Sequence, residues 1–196
     1  MGKGADTRDR ILEHATRMAS RDGLGGLTVA GLAGELGLSK SGLFAHFGSK
    51  DALQVQVLEA ATQRFRDTVV RPALKAPRGR PRLTALFERW LAWGNDVTMP
   101  GGCIFVAAAI ELDDRPGPAR DFLVASQKEW IAALVKAAEQ AVQVGHLRPA
   151  TDADQLAFEL YAIILGYQHR KRLLGDSRAD AMVRAAFHRL LDTSAS

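Results

Sequence analysis

The sequence predicts an all-α fold of about nine helices. Apolar residues recur at spacings of three and four along most of the 196-residue chain, and no segment shows the strict alternation typical of strands. Glycine and proline interrupt this pattern at intervals, most densely over residues 72–82 and 113–118. These breaks separate several of the predicted helices from one another.

The first predicted helix is capped by Asp6 or Thr7 and ends near Asp22-Gly23. Its apolar face is formed by Ile11, Leu12, Ala15 and Met18. We expect this helix to brace the two helices that come next, and residues 1–6 to form a loose arm.

Two short helices separated by a tight turn are predicted between Thr28 and Lys50. Thr28 and Ser39 are suited to the N-cap positions, because a side-chain oxygen there accepts hydrogen bonds from unpaired backbone N–H groups. Gly37 and Gly48 end the two helices, since glycine tolerates the left-handed conformation that follows a last helical turn.

The residues around this turn predict a helix-turn-helix. Ala33 is small, Gly37 follows four positions later, and the apolar Leu43 comes six positions beyond that. This spacing lets two helices cross closely at a steep angle. In a helix-turn-helix the second helix enters the major groove of DNA.

A further motif, F-x-H-F-x-S-K-x-x-L, is formed by Phe44, His46, Phe47, Ser49, Lys50 and Leu53. With the helix-turn-helix it resembles the DNA-binding domain of the TetR family of bacterial repressors, over about the first quarter of the chain. The nine-helix layout resembles the same family more weakly over the whole length. The resemblance implies a DNA-binding domain at residues 1–48 and a six-helix ligand-binding and dimerisation domain at 49–196. The second domain begins with a linking helix at 49–71 and a loop at 72–82.

Eight residues are candidates for contact with double-stranded DNA. Lys40 is suited to guanine acceptors and Ser41 to bases or phosphate, while Gly42 lets the backbone approach the groove. Thr28 and Lys50 are expected at helix N-termini, which favour a phosphate, and His46 is assigned to phosphate as well. The full set is Thr28, Ser39, Lys40, Ser41, Gly42, Phe44, His46 and Lys50.

The chain departs from the family pattern at two positions. Where the family commonly has two tyrosines before the histidine, this chain has Phe44 and Ala45. The two hydroxyl contacts to phosphate are therefore absent. We expect an altered set of contacts, in which Phe44 presses on a sugar or a thymine methyl group, with DNA binding retained.

The remaining helices are expected to hold a ligand pocket and a dimer interface. The resemblance implies a mostly apolar pocket between the fifth, seventh and eighth helices, although any single ring is read first as ordinary core. The candidates are Trp90, Trp93, Cys103, Phe105, Phe122, Trp130, Phe158 and Tyr161. A homodimer is required, because two recognition helices must meet successive major grooves about 34–36 Å apart. Its interface is predicted at Leu156, Leu160, Ile163, Tyr167, Met182, Ala186 and Leu190.

The charge distribution fits a protein that touches DNA through its N-terminal part. The net charge is +4, and residues 1–82 hold 14 Lys and Arg against 8 Asp and Glu, whereas residues 83–196 hold 12 against 14. The longest apolar stretch, residues 104–110, is too short to span a bilayer, and no signal peptide is evident. We expect a cytoplasmic protein with no membrane partner.

The role of Cys103 leaves more than one function open for this protein. As the single cysteine it excludes an intramolecular disulfide. At a helix start the dipole favours the thiolate, which would suit a redox- or electrophile-sensing regulator, whereas the simpler reading is a small buried apolar residue. A small all-α enzyme with Cys103 as nucleophile and a helical ligand carrier are further alternatives.

No catalytic motif, nucleotide-binding loop or metal-ligand spacing occurs, so we expect no enzyme, no cofactor and no metal. The expected function is that of a ligand-responsive regulator. We expect a repressor that a small apolar or amphipathic effector releases from a palindromic operator.

Overall fold

The structure, a computed structural model, describes the backbone of residues 3–195 and the side chains of residues 7–195. Its helices are α1 (Lys3–Gly26), α2 (Val29–Leu36), α3 (Lys40–Phe47), α4 (Lys50–Phe65), α5 (Arg71–Leu74), α6 (Arg80–Gly94), α7 (Ile104–Leu112), α8 (Pro118–Gln143), α9 (Ala153–Gln168) and α10 (Ala179–Thr193). Two π-helical segments, Arg66–Val70 and His169–Leu173, extend α4 and α9. Residues 3–195 contain no strand, and the all-α prediction is confirmed.

The predicted number of helices is also confirmed. The segment Arg66–Val70 joins α4 to α5 without a break, so the described chain contains nine separate helical runs. No helix among the described residues has the length and apolar character needed to cross a membrane.

The start of α1 differs from the prediction. The helix begins at Lys3, ahead of both proposed caps, so a loose arm is wrong for residues 3–6, while residues 1–2 lie outside the described range. The predicted end of this helix, near Asp22-Gly23, coincides with a break in the helical backbone. Gly23 has the non-helical angles φ 78° and ψ 165°, and a short helical turn then continues to Gly26. Glycine reaches this positive φ without steric cost.

The predicted loop at 72–82 is too long. Pro72 lies in the first turn of α5 and Pro81 in the first turn of α6, so only residues 75–79 separate the two helices. Proline is favoured in a first turn because its missing N–H would have had no partner there. The three prolines of this segment therefore mark two helix starts as well as a loop.

Two compact units make up the described chain. The first comprises residues up to Phe65 together with Asn95–Ser126, and the second comprises Arg66–Gly94 together with residues from Gln127 onward. In the first unit, α1 packs against both α4 and α7, and α2 packs against α3. Its fully buried side chains include Ile11, Leu32, Leu43, Leu53 and Leu58.

In the second unit, α9 packs along α10, and the segment Arg66–Val70 packs against α6. The rings of Phe87 and Phe187 stack in parallel at its centre, with centroids 3.9 Å apart, and neither ring is exposed. At the edge of this core, Arg184 donates two hydrogen bonds to the carboxylate of Glu88, at 3.0 and 2.9 Å. The stacked pair and this ion pair fasten α10 to α6.

Candidate nucleic-acid interface

The helix α2 is bounded by the predicted caps. The backbone N–H of Gly31 donates to Thr28 Oγ1 at 3.0 Å. At the other end Gly37 adopts φ 64°, which lets the N–H of Leu38 donate to the carbonyl of Ala33 at 2.9 Å. Both ends of α2 are therefore closed by local hydrogen bonds, and the chain turns sharply into the next helix.

The helix α3 is fixed in the same way. The N–H of Gly42 donates to Ser39 Oγ at 3.0 Å, and Ser41 Oγ lies 3.3 Å from the same oxygen. Leu43 and Phe47 are buried against the rest of the first unit. Because these two residues face inward, the side chains between them face solvent.

All eight candidate DNA-contact residues are exposed. Lys40, Ser41, Phe44 and His46 stand on the outer side of α3, and Lys40 makes no hydrogen bond or ion pair to the described residues. Phe44 is the largest apolar side chain on that side, with 53% of its surface exposed. Thr28 and Ser39 serve as caps, so their oxygens already accept backbone hydrogen bonds. Contact of these residues with DNA stays a prediction.

Lys50 has a protein partner that sequence reasoning missed. Its Nζ donates to the carbonyl of Gly25 at 3.0 Å, and Gln54 Nε2 donates to the neighbouring carbonyl of Leu24 at 2.7 Å. The N–H of Leu24 donates in turn to Glu111 Oε2 at 2.8 Å. We refer to this arrangement of Leu24, Gly25, Lys50, Gln54 and Glu111 as the Leu24 clamp. It ties the end of α1 to both α4 and α7.

A charged cluster orients α2 against α1. Glu35 Oε1 accepts a hydrogen bond from Arg21 Nη2 at 3.0 Å, and Glu35 Oε2 lies 2.7 Å from His14 Nε2. Hydrogen bonding from His14 and then from Arg21 lowers the pKa of the Glu35 carboxyl. Glu35 is the only acidic residue between Thr28 and Lys50. Its charge is therefore engaged away from the outer side of α3.

The turn that precedes α7 is packed tightly on α1. Ser20 is buried, its Oγ donates to the carbonyl of Gly102 at 3.0 Å, and the same oxygen accepts from the N–H of Gly101 at 3.1 Å. A Cβ at Gly101 would lie 1.4 Å from the backbone oxygen of Ser20. Only glycine fits at this position with the two backbones so close.

The predicted pocket residues fall into three groups. In the second unit, Trp90 contacts Trp130 edge to face with centroids 5.2 Å apart, and Trp90 lies 5.4 Å from Tyr161. The Tyr161 hydroxyl donates to Gln127 Oε1 at 3.0 Å. Trp93 is buried in the same unit.

In the first unit, Cys103 and Phe105 are buried, Phe122 is half-buried, and the ring of Phe105 meets Phe65 edge to face at 5.7 Å. Burial keeps the Cys103 thiol away from solvent, which favours its role as a small apolar residue. The third group is Phe158 alone. Its side chain is 67% exposed, so its assignment to an enclosed pocket is wrong. It lies two residues after the buried Leu156 and so points to the opposite side of α9.

Several predicted interface residues are also corrected. Leu156, Leu160 and Tyr167 are buried within the chain itself, with the Tyr167 hydroxyl donating to Asp180 Oδ1 at 3.0 Å. They belong to the core of the second unit because they form the side of α9 that faces inward. Of the remaining predicted positions, Met182 is 43% exposed, whereas Ile163, Ala186 and Leu190 are half-buried.

Comparison with known proteins accounts for both parts of the chain. Residues 11–57 match the family described as bacterial regulatory proteins, tetR family, and residues 79–187 match the tetracyclin repressor-like C-terminal domain. The chain belongs to the TetR family. It is therefore a transcriptional regulator with a DNA-binding helix-turn-helix. TetR-family proteins are regulators and not enzymes, which supports the expectation that this chain is not an enzyme.

Solved TetR-family structures share the fold over nearly the whole chain. A regulator from Chloroflexus aurantiacus J-10-FL is 24% identical, covers 98% of this chain and 96% of its own, and has a TM-score of 0.86. A regulator from Saccharomonospora viridis in complex with choline is 24% identical, and the match covers 98% of this chain and 99% of the regulator, with a TM-score of 0.83. AibR in complex with isovaleryl coenzyme A and operator DNA is 26% identical, and the match covers 92% of this chain and 98% of AibR, with a TM-score of 0.73. No curated protein matches the chain.

In residues 7–195, no three side chains of His, Cys, Asp or Glu come together in a group that could hold an ion.

Sequence reasoning missed the structural partners of the helix-turn-helix, above all Ser20, Gln54 and Glu111. Their roles depend on contacts between distant parts of the chain, which no local motif signals.

Proposed function

We propose that this TetR-family chain is a ligand-responsive repressor that acts as a homodimer on a palindromic operator in the cytoplasm. A small apolar or amphipathic effector in the regulatory core releases it from DNA. The effector shifts the balance between two conformations only by the difference in its affinity for them. The DNA-binding domain is proposed at residues 1–48, and the regulatory domain at 49–196.

The observation that carries the proposal is the outer side of α3. Lys40 and Ser41 stand exposed in the first turn of that helix, the position from which side chains reach base edges. The one carboxylate of the motif, Glu35, is engaged by His14 and Arg21. The surface offered to DNA therefore has no unpaired acidic group between Thr28 and Lys50 to repel phosphate.

Lys50 fits a phosphate contact despite its bond to Gly25. An ammonium group has three N–H donors, so one hydrogen bond to the Gly25 carbonyl leaves two for phosphate oxygens. The bond also fixes the direction of a long, flexible side chain before DNA arrives. A preordered lysine loses less conformational freedom when it binds.

The homodimer is supported by an apolar side of α9 and α10. Phe158 and Leu165 are seven residues apart, so they lie on the same side of α9, and they are 67% and 40% exposed. Met182 is 43% exposed on α10, which packs against α9. A contiguous exposed apolar patch marks an interaction site, and we infer that these three side chains form one. In a two-fold dimer this surface would meet its own copy.

The effector class is supported by the aromatic cluster Trp90, Trp130 and Tyr161 and by two relatives. One TetR-family relative was solved in complex with choline, an organic cation, and another with isovaleryl coenzyme A, which joins a short apolar acyl chain to a polar carrier. Aromatic rings offer apolar area together with π-faces that attract organic cations. A small amphipathic molecule is therefore the effector that fits this chain best.

Two lysine variants test the DNA-binding assignments. The full chain first selects its operator from random duplex DNA, and gel shifts then compare wild type with Lys40→Ala, Lys50→Ala and the control Lys128→Ala, an exposed lysine on α8. Lys40→Ala should weaken operator binding by about 1–3 kcal/mol and relax specificity. Lys50→Ala should weaken binding to all sequences and reduce the salt slope by about one.

Unchanged affinity and salt slope in both variants would contradict the contact assignments. In vitro transcription from a promoter that carries the selected operator tests the direction of regulation. The wild-type chain should lower transcript yield, and Lys40→Ala should restore it. A rise in transcript with wild-type protein would identify an activator.

A further inference from the structure

Phe44 is an exposed phenyl ring on the side of α3 that faces DNA. More than half of its surface, 53%, is accessible, whereas the other two large apolar residues of this helix, Leu43 and Phe47, are buried. Lys40 and His46, the other long side chains on the outer side, are polar, while Gly42 and Ala45 add little bulk beside the ring. The ring therefore protrudes from the helix without being covered by other side chains of α3.

The position of Phe44 relative to Lys40 is set by the helix. Residues four apart lie on the same side of an α-helix, so the ring and the Lys40 ammonium face the groove together. Four residues advance about 6 Å along the helix axis. Base pairs are stacked about 3.4 Å apart, so the ring meets a base within about two steps of the one that Lys40 reaches.

The chemistry of the groove limits what the ring contacts. The C5-methyl of thymine is the one apolar group that projects from a base edge into the major groove. A phenyl ring has no hydroxyl with which to donate to a phosphate. A deoxyribose offers apolar surface as well, but it lies in the backbone and carries no sequence information.

We propose that Phe44 is a specificity-determining residue that reads a thymine by its C5-methyl group. Each half-site then contains a thymine within about two base pairs of the guanine bound by Lys40. The inference rests on the DNA binding described under Proposed function, and it adds the base and the atom that are read. The contact buries the ring and the methyl group against each other, which removes apolar surface of both from water.

The test replaces thymine by uracil, which has the same hydrogen-bonding edge and lacks the methyl group. In the duplex selected by the full chain, each thymine is changed in turn to deoxyuridine, and affinities are compared for wild type, Phe44→Ala and Leu38→Ala. Leu38 is the matched control, since it is an apolar residue, 39% exposed, in the turn before α3. Circular dichroism melts confirm that each variant is folded.

At one thymine per half-site, replacement by deoxyuridine should weaken wild-type binding about fourfold. This is the affinity change expected when one methyl group is no longer buried. Phe44→Ala should bind the thymine and uracil duplexes equally, and Leu38→Ala should retain the difference. If Phe44→Ala weakens both duplexes while wild type ignores the methyl group, the ring contacts sugar and the inference is wrong. If no sequence is selected at all, sequence-specific DNA binding itself fails, which is a separate result.

Discussion

Gly101→Ala is the substitution whose effect follows most directly from the geometry. The added Cβ would lie 1.4 Å from the backbone oxygen of Ser20, 2.3 Å from its carbonyl carbon and 2.9 Å from the backbone nitrogen of Arg21. All three atoms belong to the main chain of α1, so no side-chain rotation relieves the overlap. The turn and the helix must separate by about 1.6 Å to bring the closest contact to 3.0 Å.

That separation has a cost that the hydrogen bonds of Ser20 allow us to estimate. Ser20 is 4% exposed, and its Oγ makes 3.0 and 3.1 Å bonds to the turn that a movement of this size would break. Overpacking costs about 1–3 kcal/mol, and each buried polar group left unpaired costs about 1–3 kcal/mol. Counting the overpacking and the Ser20 hydroxyl together, we expect Gly101→Ala to lower the free energy of unfolding by roughly 2–6 kcal/mol.

Urea unfolding at one protein concentration measures this effect. Gly34→Ala is the matched control, because its Cβ meets nothing within 4 Å and the residue is exposed within α2. That control should be stabilised by about 0.5–1 kcal/mol, the usual gain for replacing a helical glycine. The reasoning is refuted if Gly101→Ala unfolds within about 0.5 kcal/mol of wild type, the range of an ordinary surface substitution.

Two further predictions concern the second unit. Met182→Glu places like charges at the proposed dimer interface, so the dimer should dissociate. Light scattering should then find a mass near the 21.2 kDa of one chain. The control Val97→Glu, at an 88% exposed position, should leave the dimer intact. A dimeric Met182→Glu variant would place the interface elsewhere. Hydrogen bonding from Arg170 lowers the pKa of Asp176 from 3.8 to about 2. The ionised Asp176 carboxylate therefore stabilises the fold above pH 3.8, and this stabilisation is lost as the pH falls through about 2. Urea unfolding of Asp176→Asn should therefore show a stability deficit against wild type that shrinks across this range, and a constant deficit down to pH 2 would contradict the assignment.

Local chemistry made the helix-turn-helix predictable from sequence. Thr28 and Ser39 cap the two helices through hydrogen bonds that involve residues only three positions away, and Gly37 supplies the left-handed turn. Such interactions depend on the order of neighbouring residues and on nothing distant. The helices were predictable for the same reason, because the spacing of their apolar residues can be seen in the sequence itself.

Long-range orientation was not predictable in this way. In α9 the apolar residues Leu156, Phe158 and Leu165 spread over more than one side, so periodicity alone did not reveal which side faces inward. Packing against other helices, α10 among them, decides this: Leu156 is buried, whereas Phe158 and Leu165 are exposed. The partner of Lys50, 25 residues away, was hidden for the same reason.

The Leu24 clamp also constrains how this sequence can change over generations. A Cβ at Gly25 would lie 2.4 Å from Glu111 Oε1, and one at Gly23 would lie 2.9 Å from Glu111 Oε2. A larger residue at position 25 therefore displaces the Glu111 carboxylate, and a shortened residue 111 likewise leaves the buried N–H of Leu24 without its acceptor. Among descendants of this protein, a change at position 25 should therefore favour a change at position 111, although 86 residues separate the two, whereas Gly23 is kept for its positive φ of 78°.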